Sequence, residues 1–403
     1  MHVIDVDSHF EPTALAPDEH PLWELRDHLP DFASIMIANL AGDLYRELPP
    51  DQRPEPGALL GRIGATMGMS ADQIDELAAA RQPAPGAADA PGRIAWMDRV
   101  GIDYGFVNPG GAYAGSVASS HQFIDDPALR HRAMVLCNDY LADHFAAYTD
   151  RVSPVTILDF DDLDWSTAEL RRMRERGSRA YFVWATPFEG RSPAHPDVDR
   201  FWRASTDLGM VAVLHIGNTP AHFAAGWSDA GWDEPRGGGT GGLLRFANSQ
   251  RTQAAQTFLA ALLFGGAFTR NAGLTVVLAE LWASWLPWFV SRLDMLGDAN
   301  GALGEWGHEL SPGALARRHV KASPLPGLHD DGMGAIHEVP DMLVFSSDFP
   351  HNEGNAEPIA LYADALDEVD PATRAAFMGG NMTDVFDRMG DPLPLSRSKG
   401  TFA

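Results

Sequence analysis

Residues 5–11 near the amino terminus, DVDSHFE, set Asp5, Asp7, His9 and Glu11 at alternate positions. In an extended segment alternate side chains share one face, so three carboxylates and an imidazole point the same way. Such groups are the hard-to-borderline ligands that iron, zinc and manganese accept. Further along, other apolar runs also end in ligand-type residues. His215 closes MVAVLHIG, Glu280 closes LTVVLAE, and Asp348 closes MLVFSSD, with His351 three residues beyond it. Each taken alone reads as a capping or hydrogen-bonded residue. Brought together, they would bury uncompensated negative charge unless a cation were present. The expected metal ligands are therefore Asp7, His9, Glu11, His215, Glu280, Asp348 and His351, with Glu280 and Asp348 also moving protons. Asp5, one layer deeper, is expected to orient a ligand. Lys321, at the end of another run, is expected to pair with an acid of the site or to touch an anionic substrate.

The elements that must deliver these residues are short apolar runs at 2–9, 104–110, 154–160, 179–185, 210–217, 274–280, 318–323 and 342–350. Between them lie segments with apolar residues at three- and four-residue spacing, among them DPALRHRAMVLCNDYLADHFAAY, STAELRRMRERG and QRTQAAQTFLAALLFGG. Eight near-continuous apolar runs alternating with helices predict an α/β protein, a closed (β/α)8 TIM barrel. The chemistry of such barrels sits at the carboxyl ends of the strands, where all the candidate ligands fall. Residues 1–390 are expected to form one domain, with a large helical insertion at about 13–100, and 391–403 to be a loosely ordered tail.

Length and composition agree with an enzyme-sized core. The chain has 403 residues, 45% of them hydrophobic, and a formal charge of −25. That charge argues against a nucleic-acid partner, which needs a basic face. The single cysteine, Cys137, excludes an intrachain disulfide and fits a reducing compartment. With no leader and no apolar stretch long enough to span a bilayer, a cytoplasmic protein without membrane contact is expected, compatible with a homodimer. Substrate clues come from Trp282 beside Glu280, from Arg236 and Arg245 flanking the Gly-rich 237–242 stretch, and from His222 seven residues past His215. An aromatic wall and guanidinium groups suit a bulky apolar substrate with an anionic handle. Trp285 and Trp288, at helical spacing, are expected to pack the helix rather than the pocket.

A first strand ending D-x-H, a histidine after the fifth run and an aspartate after the eighth resemble the amidohydrolase superfamily. IDVDSHFEP near the start and FSSDFPH near the end are similar to its aminocarboxymuconate semialdehyde decarboxylase branch. The resemblance implies metal ligation by Asp7, His9, His215 and Asp348. Two departures stand out: that branch usually has histidine or glutamate where Asp7 stands, and its sixth strand usually ends A-H-G-G rather than AELW. Seven ligand-type groups exceed what one ion requires, and a carboxylate-rich variant is similar to the non-heme diiron monooxygenases built on this barrel in platensimycin and platencin biosynthesis. That resemblance implies two iron ions, dioxygen, an electron donor and hydroxylation of an aliphatic carbon on a coenzyme A-linked substrate. The alternative is a zinc- or manganese-dependent decarboxylase or hydrolase.

Overall fold

The computed structural model describes residues 1–11, 21–25, 27–28, 85–110, 124–219, 227, 246, 249–298, 305–325, 331–351 and 356–395. Most of the expected insertion and most of the tail lie outside them. Seven strands pair in parallel and in chain order: β1 (Ile4–Phe10), β2 (Tyr104–Pro109), β3 (Val152–Thr156), β4 (Ala180–Phe182), β5 (Val211–His215), β6 (Val276–Ala279) and β7 (Val320–Ala322). All but the last residue of β5 are buried along their length, as a parallel sheet covered on both faces requires. Helices α1 (Ala90–Val100), α2 (Pro127–Phe145), α3 (Leu163–Glu175), α4 (Asp199–Asp207), α5 (Arg251–Phe264), α6 (Leu286–Gly297), α7 (Pro312–His319) and α8 (Asn381–Met389) occupy the segments between and after the strands. Their starts follow from capping chemistry: Asp89, Asp126 and Asp162 each accept a backbone N–H of the first turn, and Pro127 stands where its missing N–H costs nothing.

The eighth run behaves differently from the other seven. Residues 342–350 bridge β7 through Ala322 and Leu343 and β1 through Ser8 and Phe349, closing the ring, yet they form no regular strand. Asp5 explains why. Its carboxylate accepts from the Ser347 N–H at 2.8 Å and the Ser347 hydroxyl at 2.6 Å, so a side chain stands where a ladder carbonyl would be. Backbone pairing continues above and below it, with Val6 N donating to Phe345 O, Asp348 N to Asp7 O and His9 N to Phe349 O. The fold is thus the (β/α)8 barrel. No helix among the described residues is long and apolar enough to cross a membrane.

Asn381 on α8 pins the base of this closing segment, donating to Pro340 O at 2.8 Å and Leu343 O at 2.7 Å from a nearly buried position. Asn381→Leu leaves two inward-facing carbonyls without a donor and is expected to lower unfolding free energy by about 2–3 kcal/mol in urea denaturation.

Candidate metal centre

Six of the seven expected ligands meet at the carboxyl end of the barrel. Asp7, His9, His215 and Glu280 offer donor atoms that all lie within 4.8 Å of one another, and so do His9, Glu280, Asp348 and His351. His9 Nε2 stands at the centre, 3.3 Å from Asp7 Oδ1, 3.3 Å from Glu280 Oε1 and 3.3 Å from Asp348 Oδ1. One imidazole nitrogen cannot donate to three carboxylates at once. The separations are those of ligands around an ion, since donors bound at about 2.1 Å sit about 3.0 to 3.4 Å from their neighbours. Hydrogen bonding points the same way. Asp7 Oδ2, His9 Nε2, His215 Nε2 and both Asp348 oxygens are buried with no hydrogen-bond partner. Unpaired buried polar atoms are rare, and five converging on one spot fit a divalent cation.

Two of these residues are held in strained backbone. Glu280 has φ 55° and Asp348 φ 48°, both left-handed conformations that cost a non-glycine residue about 1–3 kcal/mol. The strain turns each carboxylate off its strand axis toward the shared centre. Trp282 has φ 55° as well, so the chain leaving β6 turns sharply twice in three residues.

The surrounding groups fix the ligands. His351 presents Nδ1 to Asp348 Oδ1 at 3.1 Å and Glu280 Oε1 at 3.3 Å, while its Nε2 meets Glu11 Oε1 at 3.2 Å. Glu11 therefore stands behind His351, where an outer carboxylate fixes the tautomer of a metal-binding imidazole, and is not itself among the converging donors. His215 is wired in the opposite sense. Its Nδ1 accepts the Gly217 N–H at 3.1 Å, and its Nε2 stands 3.1 Å from Glu280 Oε2. Asn108, at the end of β2 beside His9 in register, donates to Asp7 Oδ1. Spacing along the sequence could not reveal it, because only strand pairing brings residue 108 against residue 7.

Other expectations divide. Asp5 bonds to Ser347 and accepts the Asp7 N–H, so it sets the backbone that carries Asp7 and Asp348. Lys321 does not join the site. Its ammonium donates to Arg317 O at 3.0 Å and Asp341 O at 2.8 Å, residues that precede β7 and the closing segment, so the side chain runs to the amino end of the barrel. Trp285 packs against Phe289 as expected, whereas Trp288 is exposed. Arg236, Arg245 and His222 lie outside the described residues.

The acids of the cluster hold two of its histidines toward the protonated form. Burial and the neighbouring His351 oppose protonation of His9, but the Asp348, Asp7 and Glu280 carboxylates outweigh them and hold its pKa well above the ordinary histidine value. Burial likewise opposes protonation of His351, and Asp348, Glu11 and Glu280 outweigh it. Burial would raise the Glu280 pKa, yet His215, His351 and His9 pull it well below the usual range. Asp348 is raised to about 6, by burial first and then by the Glu280 charge.

No protein-family model matches the chain, and no curated protein matches it in sequence. Solved structures do match in shape. An amidohydrolase from Mycobacterium avium subsp. paratuberculosis shares 20% identity at a TM-score of 0.65, covering 96% of this chain and 99% of that one. A dihydroxybenzoic acid decarboxylase from Polaromonas, holding manganese and the inhibitor 2-nitroresorcinol, shares 17% identity at a TM-score of 0.59, covering 98% and 99%. The 5-carboxyvanillate decarboxylase of Sphingomonas paucimobilis shares 18% identity at a TM-score of 0.56, covering 96% and 99%. At these identities the likeness establishes the barrel fold. It also corrects the functional expectation. The neighbours are decarboxylases and an amidohydrolase, with manganese in the Polaromonas enzyme, so the iron-dependent, oxygen-activating monooxygenase gives way to the zinc or manganese alternative.

Because ligating histidines must be unprotonated, cation binding has to expel the protons held on His9 and His351. Calorimetric titration with manganese in buffers of different ionisation enthalpy should report about one to two protons released per cation near pH 7. Affinity should fall as pH is lowered, since raised histidine pKa values favour the protonated, cation-free form.

Proposed function

We propose that the chain is a divalent-cation-dependent decarboxylase of a hydroxylated aromatic carboxylic acid, within the amidohydrolase superfamily. The observation that carries this reading is the set of five buried, unpartnered donor atoms converging at the barrel mouth. The shared fold with decarboxylases supports the reaction class, and their 5-carboxyvanillate and dihydroxybenzoic acid substrates support the choice of acid. His9, Glu280, Asp348 and His351 would hold the cation together with Asp7, and manganese or zinc suits this mixed imidazole and carboxylate set. When bound, such a cation supplies electrostatic attraction for the carboxylate and hydroxyl oxygens of the substrate.

The remaining chemistry belongs to the side chains. Loss of carbon dioxide breaks the bond between ring and carboxyl carbon, leaves the electron pair on the ring carbon, and requires a proton there. Asp348 is the group to carry it, because burial and the Glu280 charge raise its pKa to about 6, far above that of an exposed aspartate. His215, whose Nε2 stands 3.1 Å from Glu280 Oε2, would join the cation's ligands and helps keep Glu280 ionised. Trp282, half-buried two residues past Glu280, provides an aromatic wall for the ring. Asp5 and Glu11 stay outside the cation's reach and hold the backbone and the His351 ring.

Manganese-loaded protein should release carbon dioxide from 2,6-dihydroxybenzoate or a related hydroxybenzoate under argon as well as in air, and 2-nitroresorcinol should compete. Asp348→Asn should lower kcat by about a hundredfold to ten-thousandfold, the range for loss of a general acid. A protein that carries its full complement of manganese yet neither binds 2-nitroresorcinol nor decarboxylates any hydroxybenzoate offered would sink the proposal.

A further inference from the structure

We infer that Arg93 is a positioning residue for the metal centre, holding His9 of β1 in register with Asp348 and His351 of the closing segment. The inference rests on the cation site and is independent of the reaction assigned to it. Arg93 lies on α1, behind β1, and its side chain is fully buried. Its guanidinium spends one N–H from each nitrogen on a separate acceptor: Nε donates to Gly86 O at 2.8 Å, Nη1 to Ser8 Oγ at 2.8 Å, and Nη2 to His9 O. All three acceptors are neutral. No carboxylate among the described residues contacts it, a costly arrangement for a buried cation, and burial pulls its pKa down to about 10 even though Asp5, Glu11 and Asp89 attract it. Ion pairing therefore does not account for the residue.

Reach across two segments does account for it. The guanidinium carbon lies 5.0 Å from the centre of the Phe349 ring and 5.6 Å from that of Trp96, and those two rings stack at 4.2 Å. Phe349 follows Asp348 and precedes His351 by two residues, and its carbonyl accepts the His9 N–H at 2.7 Å. One rigid, planar group thus grips the Ser8 hydroxyl and the His9 carbonyl through its edge and stands over the Phe349 ring. Three of the four donors in the second ligand group ride on those two segments. The Gly86–Ala87 turn adds a second tie, since Ala87 O accepts the Glu11 N–H at 2.7 Å and Gly86 O accepts from Arg93 itself. A lysine could reproduce the charge but not the three-point fork or the flat stacking surface.

Manganese titration followed by electron paramagnetic resonance tests the assignment on wild type, Arg93→Lys and Arg93→Met, with thermal unfolding measured alongside. Arg93→Lys is expected to fold, to bind manganese about tenfold to a hundredfold more weakly, and to show an altered spectrum at saturation, as expected when an outer partner of a ligand is lost. A purely structural role would lower Tm while leaving affinity and spectrum of the folded protein unchanged, and that result would overturn the inference. If neither Arg93 variant folds, Ser8→Ala removes one acceptor of the fork and should weaken manganese binding several-fold; unchanged affinity there would overturn the inference as well. Failure of the wild type to bind manganese would instead bring down the cation site itself.

Discussion

Like charge in a dry place is the constraint on which the rest of this molecule depends. Asp7, Glu280 and Asp348 are each less than a tenth exposed, and their oxygens stand around a single histidine nitrogen. Carboxylates so close repel strongly when water is excluded. Two states relieve the repulsion. In one, His9 and His351 carry protons and the cluster is an internal ion-pair network. In the other, a divalent cation held by the same side chains would take the place of those protons.

The backbone bears a cost for gathering these acids. Left-handed φ at Glu280 and Asp348 would be relieved by glycine, yet both positions carry acids whose carboxyl groups join the common cluster. The closing segment gives up regular strand pairing for the same end. The Asp5 carboxylate takes the Ser347 N–H and hydroxyl, and the segment turns inward one residue later at Asp348. Strain at the mouth is sustained by the parallel strands beneath, whose interior is apolar and closely packed.

Residue types at strand ends made most of the centre legible in the sequence. Alternation along β1 correctly put Asp7 and His9 on one face, and strand-end positions brought in His215, Glu280 and Asp348. Alternation overreached at Glu11. It lies beyond the end of β1, and its carboxylate meets the far nitrogen of His351 rather than the cluster. Lys321 misled for a related reason: it sits mid-strand in a three-residue β7, and a four-carbon side chain can run toward either end of a barrel. Asn108, Ser347 and Arg93 were invisible because they act through pairing between segments distant in sequence, and no local pattern marks a residue whose partner is 85 to 342 positions away. The count of seven candidate ligands also pointed toward two irons, the reading that the decarboxylase neighbours overturn.

Charge bookkeeping at the centre shows why the identity of Glu280 matters to the proposed reaction. Where the branch it resembles usually carries a neutral imidazole, this chain adds an anion, so Asp7, Glu280 and Asp348 together exceed the charge of one divalent cation by one. An anionic substrate entering that site would meet net repulsion if all three were ionised. A proton retained within the cluster would remove the mismatch, and Asp348 is the acid that burial and the Glu280 charge push toward its neutral form. The extra carboxylate on β6 thereby does for Asp348 what a like-charged neighbour does in any acid pair: it forces one member to keep its proton. On this view the replacement at the end of β6 supplies the acid that decarboxylation requires, in the position facing the cation, without adding a further residue to the site.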